Sequence, residues 1–291
     1  MSPEPSLMRL STILSSMSRT DFNAEQDDSR ASSDAAHPIL HTADLFRGSD
    51  TDLRRSRDAD VHGQTSNHSR RPTVVMLHGW GQDMDSLRVL ADLLSAYYPV
   101  HLVDLPGFGK SGRHDGSWGS EEYAGYIYAH LSNMKLTNNI LVGHSYGSRV
   151  ALRLAYKHPD IVQSLVLIAA AGLQPTGANR TRRDIKLFFN RFLKNKFVSR
   201  DYANAGPLRR TLVKAVTEDL SNCAKSIKTK TLLIYGNKDT ETPPELGQRF
   251  NGLIPNSSLI ELAQKDHFPF VGAGASLCAW HILKFLAQTE S

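Results

Sequence analysis

Six short apolar runs recur along the chain from Pro72 onward, at residues 73–77, 100–103, 140–142, 164–169, 231–235 and 258–262. Between them lie stretches of helical period near residues 86–96, 120–132, 146–157, 245–253 and 274–287. Apolar runs of strand length that alternate with amphipathic helices predict parallel strands. Parallel neighbours need a crossover, usually helical, and their strands are buried on both faces. The expected fold class is α/β: a mostly parallel, doubly wound sheet with flanking helices. One interval breaks the rhythm. About 60 residues separate the fourth run from the fifth, far longer than an ordinary crossover, so residues 174–228 read as a helical insertion that divides the core into 72–173 and 229–291.

Residues 1–71 are rich in Ser, Asp and Arg, with few aromatics and no sustained period of 2 or 3.6. Such a segment buries too little apolar surface to offset its ordering entropy, and it is expected to be a disordered N-terminal extension. Its first twenty residues resemble a transit peptide weakly, but Asp21, Glu25, Asp27 and Asp28 follow at once and argue against that reading. The remainder, in a chain of 291 residues that is 40% apolar, is ample for a sizeable core. No run approaches the roughly 20 apolar residues that cross a bilayer, which predicts a soluble protein. The two cysteines, Cys223 and Cys278, are too few for a disulfide scaffold and show no metal-ligand spacing. They read as reduced, buried thiols in a cytoplasmic protein.

The net charge of +5 is unevenly spread, because residues 176–230 hold 14 Lys and Arg against 4 Asp and Glu. Within this stretch Ile185, Phe188, Phe189, Phe192 and Leu193 fall at helical spacing, while Arg182, Arg183, Lys186, Arg191 and Lys194 project mainly elsewhere. The apolar face is expected to roof a pocket, with Phe188, Phe189 and Phe192 touching substrate. The basic face reads as solvated, with attraction to anionic substrates or to an anionic membrane surface as the sharper alternatives. No nucleic-acid-reading module accompanies the charge.

The chemistry centres on Gly143-His144-Ser145-Tyr146-Gly147, which follows one apolar run and opens a helix whose apolar face is Val150, Ala151, Leu154 and Ala155. A serine on a sharp strand-to-helix turn stands clear of the sheet, and the flanking glycines prevent collision with neighbouring backbone. A serine nucleophile needs a base and a carboxylate that orients the base. Asp239 follows the fifth run in Gly236-Asn237-Lys238-Asp239, and His267 follows the sixth in Asp266-His267. Both stand at carboxyl ends of parallel strands, where open sheets carry their sites. Glu241 is the nearby competitor of Asp239, and His281, within a helical pattern, is the weaker competitor of His267. Backbone N–H groups of Tyr146 and of Trp80, in His78-Gly79-Trp80-Gly81, are the candidate oxyanion donors. The Gly109-Lys110-Ser111 sequence lacks the earlier glycine of a phosphate loop, since position 104 is Asp.

With Leu77-His78-Gly79-Trp80-Gly81, Asp104-Leu105-Pro106-Gly107-Phe108-Gly109-Lys110-Ser111, the serine turn, Gly236-Asn237-Lys238-Asp239 and Asp266-His267, the chain from about Pro72 to Gln288 resembles the α/β-hydrolase superfamily, in its serine-nucleophile, esterase-like branch. The resemblance implies that residues 174–228 form a lid over the site. It departs from the family pattern before Pro72, where residues 43–71 offer no convincing pair of strands for the usual opening hairpin. The absence of a carboxylate in Ala170-Ala171-Gly172 favours Asp239 as the acid.

The expected activity is hydrolysis of a small or medium carboxylic ester by Ser145, His267 and Asp239, with no cofactor and no metal. The partner is a small-molecule ester or related carbonyl compound, and the sequence leaves the oligomeric state open. Two rivals remain open at this point: hydrolysis of an activated carbon–carbon bond with the same triad, and a ligand receptor or signalling adaptor on a hydrolase scaffold.

Overall fold

Alternate residues of each central strand face opposite layers, and this periodicity builds two cores on one sheet. The computed structural model describes residues 38–47, 71–114, 117–174 and 206–289. In chain order the strands and helices are β1 (Thr42–Leu45), β2 (Thr73–Leu77), α1 (Arg88–Leu94), β3 (Val100–Val103), α2 (Ser120–Asn133), β4 (Asn139–His144), α3 (Tyr146–Lys157), β5 (Val162–Ile168), α4 (Arg209–Thr217), α5 (Ser221–Ser226), β6 (Lys230–Gly236), α6 (Pro244–Leu253), β7 (Ser257–Leu262) and α7 (Gly274–Ala287). The sheet order is β1-β3-β2-β4-β5-β6-β7, parallel throughout except for β1.

On one face Val75, Leu77, Leu141, Leu165 and Leu233 pack against Tyr123, Ile127 and Leu131 of α2, Val150 and Leu154 of α3, and Phe250 of α6. On the other, Val74, Met76, Ile140, Val142 and Ile234 meet Leu90 and Leu94 of α1 and Cys278, Ile282 and Leu286 of α7. Burying a single Leu or Ile side chain of this kind contributes roughly 1.5–3 kcal/mol. Helices on both faces of a mostly parallel sheet are the doubly wound α/β class that the spacing predicts.

Two details differ from the sequence reading, and a third adds to it. Thr42–Leu45, assigned to the disordered extension, forms edge strand β1, antiparallel to β3 with Thr42 opposite Val103 and Leu45 opposite Val100. Its four residues carry no period of their own. They are fixed by partners about 60 positions away: His41 Nδ1 is 2.8 Å from Asp104 Oδ2, and Asp44 Oδ1 is 2.6 Å from His101 Nδ1. The helix expected at 86–96 begins as a 3-10 turn at Met84–Leu87, capped by the Asp83 side chain, which accepts from the Asp85 amide. Finally, the loop after β3 is closed by its own carboxylate. Asp104 accepts from the Met84 and Lys110 amides at 2.7 and 2.8 Å, and a Cβ on Gly109 would stand 2.3 Å from that carboxylate.

Candidate active site

Ser145 joins β4 to α3 with φ 49° and ψ −107°, a conformation that costs a non-glycine residue on the order of 1–3 kcal/mol. The neighbouring glycines make the turn possible. A Cβ on Gly143 would lie 2.6 Å from the Gly147 carbonyl oxygen, and one on Gly147 would lie 2.2 Å from that of Leu77. The turn is also hydrogen-bonded: the Ser145 amide donates to Ile168 O at 3.0 Å, and the Ser148 hydroxyl donates to Gly143 O at 2.6 Å. Interactions spread over β4, β5 and α3 therefore hold Ser145 in place.

The loops after β6 and β7 are tied to each other before either reaches its functional side chain. The Asn237 amide donates to Leu262 O, the Lys238 amide donates to Lys265 O, and the Asn237 side-chain oxygen accepts from the Gln264 amide. A Cβ on Gly236 would press to 2.3 Å from Lys265 O, so the close approach of these loops demands glycine there. This tie brings Asp239 Oδ2 to 2.9 Å from His267 Nδ1. Asp239 Oδ1 accepts from the Glu241 and Thr242 amides at 2.8 and 2.9 Å, and the Thr242 hydroxyl lies 2.7 Å from Oδ2. Asp239 is 3% exposed and His267 5%. The carboxylate is thus dry and its lone pairs are occupied, which fixes its orientation toward the imidazole.

Glu241 stands at the other ring nitrogen, its Oε2 3.5 Å from His267 Nε2. The two carboxylates that compete in the sequence are separated by geometry: Asp239 meets Nδ1 and Glu241 faces the cleft side. His144, within the serine turn, is fully buried, and burial holds its pKa well below the usual imidazole value. Its neutral ring lies under His267, with Nε2 2.9 Å from His267 O, so it supports the loop. Burial likewise lowers the pKa of His78, whose Nδ1 is 2.8 Å from Gly79 O while Nε2 accepts from the Leu105 amide at 2.9 Å. This pins the start of the Gly79-Trp80-Gly81 loop.

Ser145, His267, Glu241 and Thr242 share one cleft with Trp80, Tyr146, Arg149, Ala171, Leu212, Ala215 and Val216, about 460 Å³ including its open mouth. The two residues that carry the oxyanion candidates, Trp80 and Tyr146, both line this cleft, and their rings meet edge to face with centroids 5.2 Å apart. Phe188, Phe189 and Phe192 lie outside the described residues. The described part of the insertion supplies Leu212, Ala215 and Val216 of α4 to the cleft wall.

The sequence reading missed Thr242, Arg149 and the α4 residues as members of the site. Thr242 had a local signal: an Asp followed three residues later by Thr suits a turn in which the carboxylate caps backbone amides. Arg149 had none, because a basic residue beside an apolar helical stripe reads as solvent-facing. Among the described residues no group of His, Cys, Asp and Glu has metal-binding arrangement, and no helix is long and apolar enough to cross a membrane.

The profile of the alpha/beta hydrolase fold matches residues 72–196. A pimeloyl-[acyl-carrier protein] methyl ester esterase of Vibrio cholerae is 28% identical over 241 residues, which cover 70% of this chain and 91% of that protein. Among solved structures, a bacterial membrane phospholipase A matches with TM-score 0.67 and 22% identity, over 88% of this chain and 86% of that one. An esterase of Thermogutta terrifontis also matches with TM-score 0.67, at 16% identity, over 87% and 94%.

Proposed function

We propose that the chain, whose residues 72–196 match the profile of the alpha/beta hydrolase fold, is an ester hydrolase of that superfamily and that it hydrolyses a small or medium carboxylic ester through Ser145, His267 and Asp239. The observation that carries this reading is the His267–Asp239 contact of 2.9 Å, beside a cleft that His267 shares with the strained Ser145. Ser145 Oγ attacks the ester carbonyl carbon while His267 Nε2 takes its proton. Asp239 holds the ring with Nδ1–H toward it and stabilises the imidazolium that forms. The negative oxygen of the tetrahedral intermediate accepts from the Trp80 and Tyr146 amides. The imidazolium then protonates the leaving alcohol, and water activated by the same histidine releases the acid from Ser145. No cofactor or metal enters any step.

The wall fits this chemistry, because Trp80, Ala171, Leu212, Ala215 and Val216 offer an acyl chain an apolar surface. We read residues 174–228 as the lid and α4 as the part of it that touches substrate. The Vibrio cholerae relative is named for a methyl ester, which adds weight to a small alcohol as leaving group here. We place the enzyme in the cytoplasm, in keeping with free, buried Cys223 and Cys278. A panel of p-nitrophenyl esters of increasing acyl length tests the activity. Turnover is expected for short and medium chains and should be lost in Ser145→Ala; no turnover at any length sinks the reading.

A further inference from the structure

Arg149 lies on α3 four residues after Ser145, about 6 Å along the helix axis from it, and lines the same cleft. Its side chain is 5% exposed. A buried guanidinium requires close, well-shaped partners. Among the described residues Arg149 has two, both long and both from Glu218: Nη1 is 3.5 Å from the carbonyl oxygen and 3.8 Å from Oε2. Glu218 makes its short contacts elsewhere, since its Oε1 accepts from Arg153 Nη2 at 2.6 Å and from the Ser120 hydroxyl at 2.7 Å. Its Oε2 has no hydrogen-bond partner among the described residues. Two guanidiniums thus share one carboxylate, and Arg153 has the better geometry.

Tyr146 stands three residues before Arg149, a spacing that puts both on one helix face, and its ring lines the cleft. Its hydroxyl is buried with no hydrogen-bond partner among the described residues, and burial keeps the phenol protonated, hence a donor. The cleft therefore sets a loosely paired cation, Arg149, apart from the carboxylate of Glu241 on its His267 side, and beside that cation lies a hydroxyl donor with no partner among the described residues; both call for an acceptor.

We propose that Arg149 and Tyr146 form an anion subsite within the cleft, which takes a carboxylate carried at the far end of the acyl group. The preferred substrate is then the half-ester of a dicarboxylic acid. This deepens the ester-hydrolase reading and rests on it. Arg149 supplies a planar pair of donors matched to a carboxylate, and Tyr146 donates a third hydrogen bond. Glu241, at His267 Nε2, repels a carboxylate from the leaving-group side, so the two charges orient the substrate with its ester at Ser145.

The test compares monomethyl esters of dicarboxylic acids, from succinate to suberate, with methyl alkanoates of equal chain length. Released acid is titrated for the full chain and for Arg149→Gln, Arg149→Lys and Tyr146→Phe. At one or more lengths the unaltered protein should favour the half-ester in kcat/KM. Arg149→Gln should reduce that preference by roughly ten- to hundredfold, the scale of a lost charged hydrogen bond. Arg149→Lys should restore part of it, and Tyr146→Phe should reduce it by about threefold or more. If Arg149→Gln fails to fold, the other two variants carry the test. A preference for the alkanoate at every length, or a ratio that no variant alters, overturns the subsite. If no methyl ester is turned over, the hydrolase reading fails separately, and calorimetric binding of the half-ester decides the subsite: binding lost in the variants sustains it, and no binding overturns it.

Discussion

The Nδ1 atom of His267 lies 2.9 Å from Oδ2 of Asp239, although the two are 28 positions apart in the chain. Asp239 Oδ1 is held by two backbone amides, so Oδ2 faces the ring and Nε2 is turned to the cleft. Glu241 lies on that second side, 3.5 Å from Nε2.

The two carboxylates should differ in substitution. Asp239→Asn should lower kcat by about 10⁴-fold, because the amide disfavours the imidazole tautomer that proton transfer requires. Glu241→Gln should cost far less. Steady-state kinetics on one p-nitrophenyl ester ranks them, and the opposite ranking would move the acid to Glu241.

The Thr242 hydroxyl lies 2.7 Å from Asp239 Oδ2 and 3.0 Å from the Ala169 carbonyl oxygen. Thr242→Val keeps the volume and removes that contact. A fall in kcat of roughly tenfold is expected, the scale of one hydrogen bond to a charged group, with KM nearly unchanged. A variant with unaltered kcat would mean the two amides suffice to orient Asp239.

Much of the fold was legible because burial on both faces writes each parallel strand as an apolar run between helices. The runs at 73–77 and 100–103 coincide with β2 and β3. Edge strand β1 was not legible. Thr42–Leu45 is half solvent-facing and owes its place to His101, Val103 and Asp104, which no local pattern displays. In the site, Ser145, Asp239 and His267 could be read because each follows a strand. Arg149 could not, since its burial and its long contacts to Glu218, 69 positions away, leave no local signature.

The turn glycines are the least replaceable small residues near the site. Gly147→Ala would place a Cβ 2.2 Å from the Leu77 carbonyl oxygen, a backbone atom inside the sheet. Overpacking of this kind should cost about 3 kcal/mol or more, which lowers the melting temperature by roughly 6–12 °C for a domain of this size. Calorimetry checks it; a loss under about 2 °C would show that α3 can shift away from β2.

Stability should fall with acid in a window set by histidines. Burial holds the folded pKa of His78 and His144 below 6.5, so below that pH the unfolded chain binds more protons and unfolding gains. Each contributes up to about 1.4 kcal/mol per pH unit. Asp44 and Asp104, whose pKa values are also lowered, act only as pH approaches their ordinary value of 3.8. Melting temperatures at pH 7.5, 6.5 and 5.5 should change little over the first interval and drop over the second. A flat profile to pH 5 would mean that neither buried ring resists protonation.

The central claim is that Ser145 is the nucleophile, activated by His267. Reaction with a fluorophosphonate, followed by mass spectrometry of the modified peptide, tests it most directly. The adduct should fall on Ser145, and the labelling rate should drop by several orders of magnitude in His267→Ala. Labelling at another residue, or labelling of Ser145 at the same rate without His267, would contradict it.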